Sequence, residues 1–444
     1  MQMTVPISWA TLAMAALLAL PAAAQNTLPP SGGPLSVDAS AAPLTLTLAQ
    51  ALVLALRGSP ELAAASHEAA ASAGMLQQAG ARPNPSLSLT LEDRQRASRT
   101  STLVLSQPIE LGGKRGARVS AAERGRDLAA LDLTLKQATL RAAVMQDYLA
   151  VQTAQEREQL ARAARQLAEQ ASGAAEQRLA AGKISPVEAS KASVALAGAR
   201  IEVAQAGSEL MRSRSRLMAR WGAQADSAGP LAALAAPRTG ALTAAQGEAA
   251  PELPPLAQLL LRAAQAPSLQ RARMELARRQ ALTQLESARR SPDLTLSVGA
   301  KRDAELGRNQ AVLGLSLPLP LFDTNQGNLR EALSRSEQAR EEVRAAELQL
   351  LSGLQQAHAR WQASRDEAAM VADEILPAAI SAHGASLKGF QFGKFNFLDV
   401  LDAQRSLVQA RAARVRALAE MHAAAIDIQA LLGISSMTPD WEQQ

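Results

Sequence analysis

Two short stretches of strict alternation interrupt a chain that otherwise has the period of a helix. Leu87, Leu89 and Leu91 alternate with Ser86, Ser88, Thr90 and Glu92; after a polar tip, Leu103 and Leu105 alternate with Thr102, Val104 and Ser106. Further on, Leu294, Leu296 and Val298 alternate with Thr295, Ser297 and Gly299, and Leu313, Leu315, Leu317 and Leu319 alternate with Gly314, Ser316 and Pro318. A period of two marks strands with one apolar and one polar face. The pattern predicts two hairpins, with strands over about 86–92, 101–107, 293–301 and 310–319.

The helical part is unusually long. A short segment from about Thr45 to Leu56 is followed by Ser59-Pro60, an N-cap with proline at the first helical position, and Arg82-Pro83-Asn84-Pro85 closes that second helix. From Ile109 to Ser185 there is no proline, and Leu128, Leu131, Leu135, Ala138, Ala142, Met145 and Leu149 step by three and four as a heptad seam. A helix of about 70 residues spans roughly 105 Å, wider than any compact domain. Gly182 ends it and Ser185-Pro186 starts a return helix that runs to Trp221-Gly222. The return helix stacked on the helix before the strands nearly matches the long helix in length. The second half repeats this arrangement, except that Pro377 should kink or break its long helix.

Slid against itself by about 210 residues, the chain matches its own landmarks. Pro60 falls on Pro267, Pro85 on Pro292, Gly182-Lys183 on Gly393-Lys394, and Trp221-Gly222 on Leu432-Gly433. The expected organisation is a signal peptide (1–24), a flexible lead-in (25–43), a first repeat (44–222), an Ala/Pro/Gly-rich linker (223–250), a second repeat (251–433) and a tail (434–444). The fold class is mainly α with a small membrane β part, each repeat holding one hairpin, one long coiled-coil helix and a stacked pair of shorter helices.

Composition narrows the function. Aromatics make up 2%, and the +5 net charge comes with abundant acids, so the basic clusters and stackable rings of a nucleic-acid binder are missing. Ile7–Leu20 with Ala22-Ala23-Ala24 reads as a secretory signal without its usual basic start; a membrane anchor is the competing reading, though the run is short for a span. There is no cysteine, hence no disulfide and no lipid-carrying cysteine. The four histidines, His67, His358, His383 and His422, are scattered and give no metal-site spacing. No catalytic triad, phosphate loop or paired carboxylate stands out, so neither enzyme activity nor a cofactor is expected.

Four two-faced strands cannot close a barrel alone, and open edges are not tolerated in lipid. Several chains sharing one barrel would solve this; a soluble hairpin-tipped coiled coil, serving as scaffold or adhesin, is the alternative. Three stretches then carry a resemblance: Gln107-Pro108-Ile109-Glu110-Leu111-Gly112-Gly113-Lys114-Arg115, Leu317–Asn328 and Gly393–Gln404. With the repeat, they make the chain similar to the TolC-like outer membrane factors, most of all to the heavy-metal efflux branch (the Czc/Cus type). The resemblance implies a homotrimer in the outer membrane of a Gram-negative bacterium, in contact with its lipid. It implies a twelve-stranded barrel continuous with a twelve-helix periplasmic tunnel, docked to a periplasmic adaptor and an inner-membrane pump of the resistance-nodulation-division type. Heavy-metal cations are the implied cargo; drugs, organic solvents or proteins secreted by a type I system stay open.

The same resemblance places Gly182, Lys183, Ile184, Gly393, Lys394, Phe395 and Leu398 at tips that meet the adaptor, although turn glycines alone would explain the spacing. Asp399 and Asp402, with Glu188 as the first-half counterpart, are aperture candidates, since rings of carboxylates favour cations. First-turn acids favoured by the helix dipole are the plainer explanation. Relatives latch this region through an arginine and a tyrosine; the matching positions here are Phe395 and Phe390, so closure is expected from packing or other pairs. Gly112, Gly113 and Gly327 are assigned to strand-to-helix turns. Lys114, Arg115, Arg118, Arg124 and Arg126 read as a solvated helix face or as partners of lipid head groups.

Overall fold

A computed structural model of the chain describes residues 46–93, 95, 97–222 and 253–434. The expected signal peptide, lead-in and linker, and the tail beyond 434, lie outside the described residues. In chain order the elements are α1 (Leu48–Gly58), α2 (Pro60–Ala79), β1 (Ser86–Glu92), β2 (Thr100–Ile109), α3 (Lys114–Ala180), α4 (Pro186–Ala219), α5 (Leu256–Ala263), α6 (Pro267–Ala288), β3 (Leu294–Asp303), β4 (Arg308–Ser316), α7 (Gln326–Met370), a π-helical turn (Val371–Ile375), α8 (Leu376–Gln391) and α9 (Phe397–Leu432). β4 ends at Ser316, so Leu317–Leu319, expected in the strand, lies beyond it.

The 67 residues of α3 reach about 100 Å from the sheet. Beside it, α4 and α2 stack end to end. Trp221 closes over Gly58, where a Cβ would lie 2.8 Å from the Trp221 carbonyl oxygen, and Gly222 lies against Pro60. The second half repeats the joint: a Cβ on Gly433 would lie 2.3 Å from the Pro267 ring. Both joints are capped by glycines in the left-handed region, Gly222 at φ 76° and Gly433 at φ 66°.

Around each joint sits a hydrophobic cluster. In the first half it comprises Leu46, Leu48, Ala51, Ala55, Leu140, Val144, Tyr148, Val151, Leu210 and Leu217. Tyr148 donates to the Leu46 carbonyl at 3.1 Å, and burial pushes its phenol up to about 12. The second cluster holds Leu259, Leu269, Leu354, Trp361, Met421, Ile428 and Leu432. At this joint α3 buries Leu140, Val144, Tyr148 and Val151, and nearer the sheet it buries Leu128 of the expected seam. The expected seam residues Leu135, Ala138, Ala142, Met145 and Leu149 are only half-buried.

Pro377 neither breaks nor ends its helix. It lies in the first turn of α8, directly after the π-helical turn. Proline cannot bond the carbonyl four residues back and its ring presses on that group; the wider turn makes room, and the helix carries on.

Candidate functional site

The sheet is antiparallel in the order β1-β2-β3-β4, so β1 and β4 are its free edges. Its register sorts the side chains. Leu87 opposes Leu105, Leu89 opposes Leu103, Leu105 opposes Val298, Leu296 opposes Leu315, and Val298 opposes Leu313. One face is thus aliphatic through its middle, with Gln107 at one end and Ser101, Arg302 and Asn309 near the hairpin tips, and its leucines and Val298 are exposed. The other face is mainly polar, carrying Ser88, Thr90, Thr102, Ser106, Ser297 and Lys301 beside Val104 and Val312, with the Ser106 and Ser297 hydroxyls 2.9 Å apart. Uncovered aliphatic surface of this extent needs an apolar solvent or partner. Among the described residues no helix is long and apolar enough to cross a membrane.

Where the sheet meets the helices, side chains from separate elements lock together. Gly112 and Gly113 adopt φ 70° and 74°, and a Cβ on Gly112 would lie 2.3 Å from the Ser291 hydroxyl, so only glycine fits. The second junction differs from expectation. Gly327 lies inside α7 with open space where a Cβ would be, and the left-handed residue is Asn325 at φ 58°. Asparagine tolerates that conformation, and the Asn325 amide donates to the Glu286 carbonyl and carboxylate, each at 2.9 Å. Lys114 pairs with Asp293 at 2.7 Å, which joins the two halves.

Arg118 and Arg115 are not a free solvated face. Arg118 donates to the Ala79 and Ala81 carbonyls at 2.8 and 3.0 Å, and Arg115 to the Gly80 carbonyl at 2.8 Å. Together they satisfy the carbonyls of the last α2 residue, of its C-cap Gly80 and of the following Ala81, which have no helical partner. Arg118 also grips both oxygens of Glu110, and that hydrogen bond holds the Glu110 carboxyl below its usual range. A lowered carboxylate pKa contributes stability above the usual carboxylate range and loses it as pH falls through the lowered value. Arg118→Ala is expected to cost about 1–2 kcal/mol, limited by partial exposure. It should also flatten the acid limb of a melting-temperature profile against pH.

At the far end, each hairpin of helices turns through a left-handed glycine, Gly182 at φ 69° and Gly393 at φ 71°. Ser185 and Glu188 form a capping box at the start of α4, and Asn396 and Asp399 form the matching box at the start of α9. Asp399 Oδ2 accepts the Asn396 N–H at 3.1 Å, and Glu188 Oε1 accepts the Ser185 N–H at 3.4 Å. Both acids therefore serve helix starts. Asp402, one turn on, is exposed, as are Lys183 and Lys394.

The two tips hold each other through aromatic packing. Phe397 is 3% exposed, in a cluster with Ala175 and Ala192 that is flanked by Ala171, Ile184, Phe390 and Leu401. Phe390 lies 5.7 Å from Phe397, and the Arg178 guanidinium sits 3.7 Å above the Phe390 ring. Ile184, assigned to the tip that meets the adaptor, is half-buried because it seals this cluster; Leu398 is half-buried too. Phe395 is 48% exposed, and a Cβ on Gly389 would meet its ring at 2.1 Å. Phe392, at 78%, is the most exposed of these rings and was not singled out by the sequence. Its place directly before the turn glycine was the available signal. Arg178 was missed because its partner Phe390 comes from the opposite half, while Phe397, inside the quoted Gly393–Gln404 stretch, draws only Ala175, Ala192 and their neighbours from there.

Among the described residues no three histidines, aspartates or glutamates gather as metal ligands. What the arrangement offers is a two-faced sheet, a long shaft of helices and a packed tip.

Residues 51–223 and 259–434 match the family model described as "Outer membrane efflux protein". The chain is 42% identical over 388 residues to the cobalt-zinc-cadmium resistance protein CzcC of Cupriavidus metallidurans, covering 87% of this chain and 90% of that one. Among solved structures it resembles the outer membrane protein VceC of Vibrio cholerae, with a TM-score of 0.70, 21% identity, and 87% and 96% coverage of the two chains. It also resembles CusC, with a TM-score of 0.70, 18% identity, and 89% and 95% coverage.

Proposed function

The chain belongs to the outer membrane efflux protein family, and from that membership we propose that three copies form one passive duct that exports heavy-metal cations. The protein has the TolC-like fold and is an outer-membrane efflux channel with a large periplasmic part; the family works with an adaptor and an inner-membrane pump in tripartite systems. The pump of this chain is read as the resistance-nodulation-division type, and the adaptor as docking on the tips around Phe392, Phe395, Lys183 and Lys394. Residues 1–24 are read as an export signal, and residues 44–222 and 251–433 as the two repeats.

The observation that carries the trimer is the open two-faced sheet, with free edges at β1 and β4. A second feature supports it. Along α4, Val187, Val194 and Ile201 repeat every seven residues and are exposed, and along α8 Ile380 and Leu387 do the same. Such seams are what helices of neighbouring copies need in order to pack. The cargo rests on the 42% identity to a cobalt-zinc-cadmium resistance protein. Expression in a strain lacking its own such channel, together with the cognate pump and adaptor, should restore growth in cobalt, zinc or cadmium salts. Restored tolerance to drugs with none to metals would overturn the metal assignment.

Asp402 is the acid free to act on permeating ions, because the Asp399 carboxylate is engaged at the helix start. Three copies would set a ring of carboxylates at the narrow end, and removing them weakens cation preference. In planar bilayers Asp402→Ala is expected to lower cation over anion selectivity, and Asp399→Ala with Asp402→Ala to lower it further while loosening the start of α9. Selectivity equal to the wild type in both variants would rule the ring out.

A further inference from the structure

We propose that the free edges β1 and β4 pair between copies in one defined register. Leu87, Ser88, Leu89, Thr90 and Leu91 of one copy would lie opposite Leu317, Ser316, Leu315, Gly314 and Leu313 of the next. The proposal rests on the trimeric duct above and specifies how its barrel closes.

Three constraints select this register. The first is the face. Leu87, Leu89 and Leu91 lie on the same side of the sheet as Leu313 and Leu315, so leucine must oppose leucine; a one-residue slip would turn one edge inside out. Allowed registers therefore differ by two residues.

The second is the tilt. A row straight across one copy runs Ser86, Ser106, Ser297, Gly314. In the proposed register that row continues to Thr90 of the next copy, a rise of about four residues per copy and about twelve around three copies. With about 3.3 Å per residue and about 4.8 Å between strands, twelve strands then tilt by about 35°, within the range of membrane barrels. Setting Ser86 opposite Ser316 would give a tilt near 20°, outside that range. Stagger in the opposite sense leaves β1 facing little more than Arg308–Gln310.

The third is the end of each strand. A stagger of about six residues also gives an admissible tilt, about 45°. It would place Leu319 opposite Leu87 and Pro320 opposite Ser86. Leu319 is already committed to a turn, since its carbonyl accepts the Leu321 N–H at 2.9 Å. Pro318, with no N–H to donate, would then sit inside the ladder opposite Ser88. In the proposed register Pro318 falls opposite Ser86, the residue after Pro85, so the ladder stops at one level on both edges. Leucine pairs face outward, and Ser88–Ser316 and Thr90–Gly314 continue the small polar rows found within the chain.

The natural chain has no cysteine, so engineered pairs report without background. Full-length protein carrying Ser88→Cys with Ser316→Cys, oxidised in outer membranes and run without reductant, is expected to give disulfide-linked trimer. The same is expected of Leu89→Cys with Leu315→Cys. Yield should exceed by about tenfold that of the slipped pairs Ser88→Cys with Gly314→Cys and Thr90→Cys with Ser316→Cys, because a two-residue slip separates Cβ atoms by about 7 Å. Preferred linkage of either slipped pair would overturn the register, as would no linkage in any pair while the native mass is that of three copies. A native mass of one copy would instead remove the trimer reading on which the proposal stands.

Discussion

Replacing Leu103 with arginine is expected to abolish accumulation of the protein in the outer membrane. Leu103 lies in the middle of the aliphatic face, between Leu89 and Ala300. A charge there faces hydrocarbon and costs about 2–4 kcal/mol near the bilayer midplane. In a closed trimer the cost is met three times in one barrel. The neighbouring Thr102 points to the opposite face, beside Lys301. Thr102→Glu should therefore be tolerated, with wild-type levels of heat-resistant oligomer in outer-membrane fractions. Equal yields of the two variants would show that the faces have been assigned wrongly.

The second large effect is expected from Phe397→Ala. This ring is almost wholly buried, and its contacts join the first-repeat residues Ala175, Ala192 and Ile184 to the second-repeat residues Phe390 and Leu401. Truncating a buried phenylalanine costs about 3–5 kcal/mol where the site cannot collapse. Here the loss falls on the clamp between the tips, far along the helices from the sheet. The expected result is a larger single-channel conductance and longer open periods in planar bilayers, with little change in the heat resistance of the oligomer. Arg178→Ala should act in the same direction but more weakly, because a cation over a ring contributes about 0.5–2 kcal/mol. Phe395→Ala removes an exposed ring and should spare conductance while weakening adaptor binding. Unaltered conductance in Phe397→Ala would show that the cluster does not hold the tip shut.

The features legible in the sequence are those written in local spacing. Alternating leucines and serines mark all four strands, because a strand exposes its period directly. Glycine followed by Ser-Pro or Asn-Phe marks the helical turns, because capping is decided by neighbours in the chain. Features made by distant partners were not legible. Arg118 looks like any basic residue on a helix until Ala79 and Ala81 are brought beside it by the end of α2. The expected stripe of α3 holds at Leu128 and fails further on because α3 packs against α1, α2, α4, α6 and α9, so apolar and small residues cover more than one of its faces. Gly327 is the residue that spacing assigns to the strand-to-helix turn, while Asn325 takes the left-handed position and bonds to Glu286. At the tip, the sequence places Phe390 and Phe395 beside the turn glycine. It did not show that Phe390 would lie beneath Arg178, or that Phe397 would pack on Ala175 and Ala192, since those residues meet only when the two halves lie side by side.

Three two-faced sheets are expected to close one membrane barrel. The mass of the native complex extracted from outer membranes in mild detergent, corrected for bound detergent, tests it most directly. Three copies per complex, recovered from the outer-membrane fraction, is the expected result. A single copy, or protein recovered from the soluble periplasm, would contradict it.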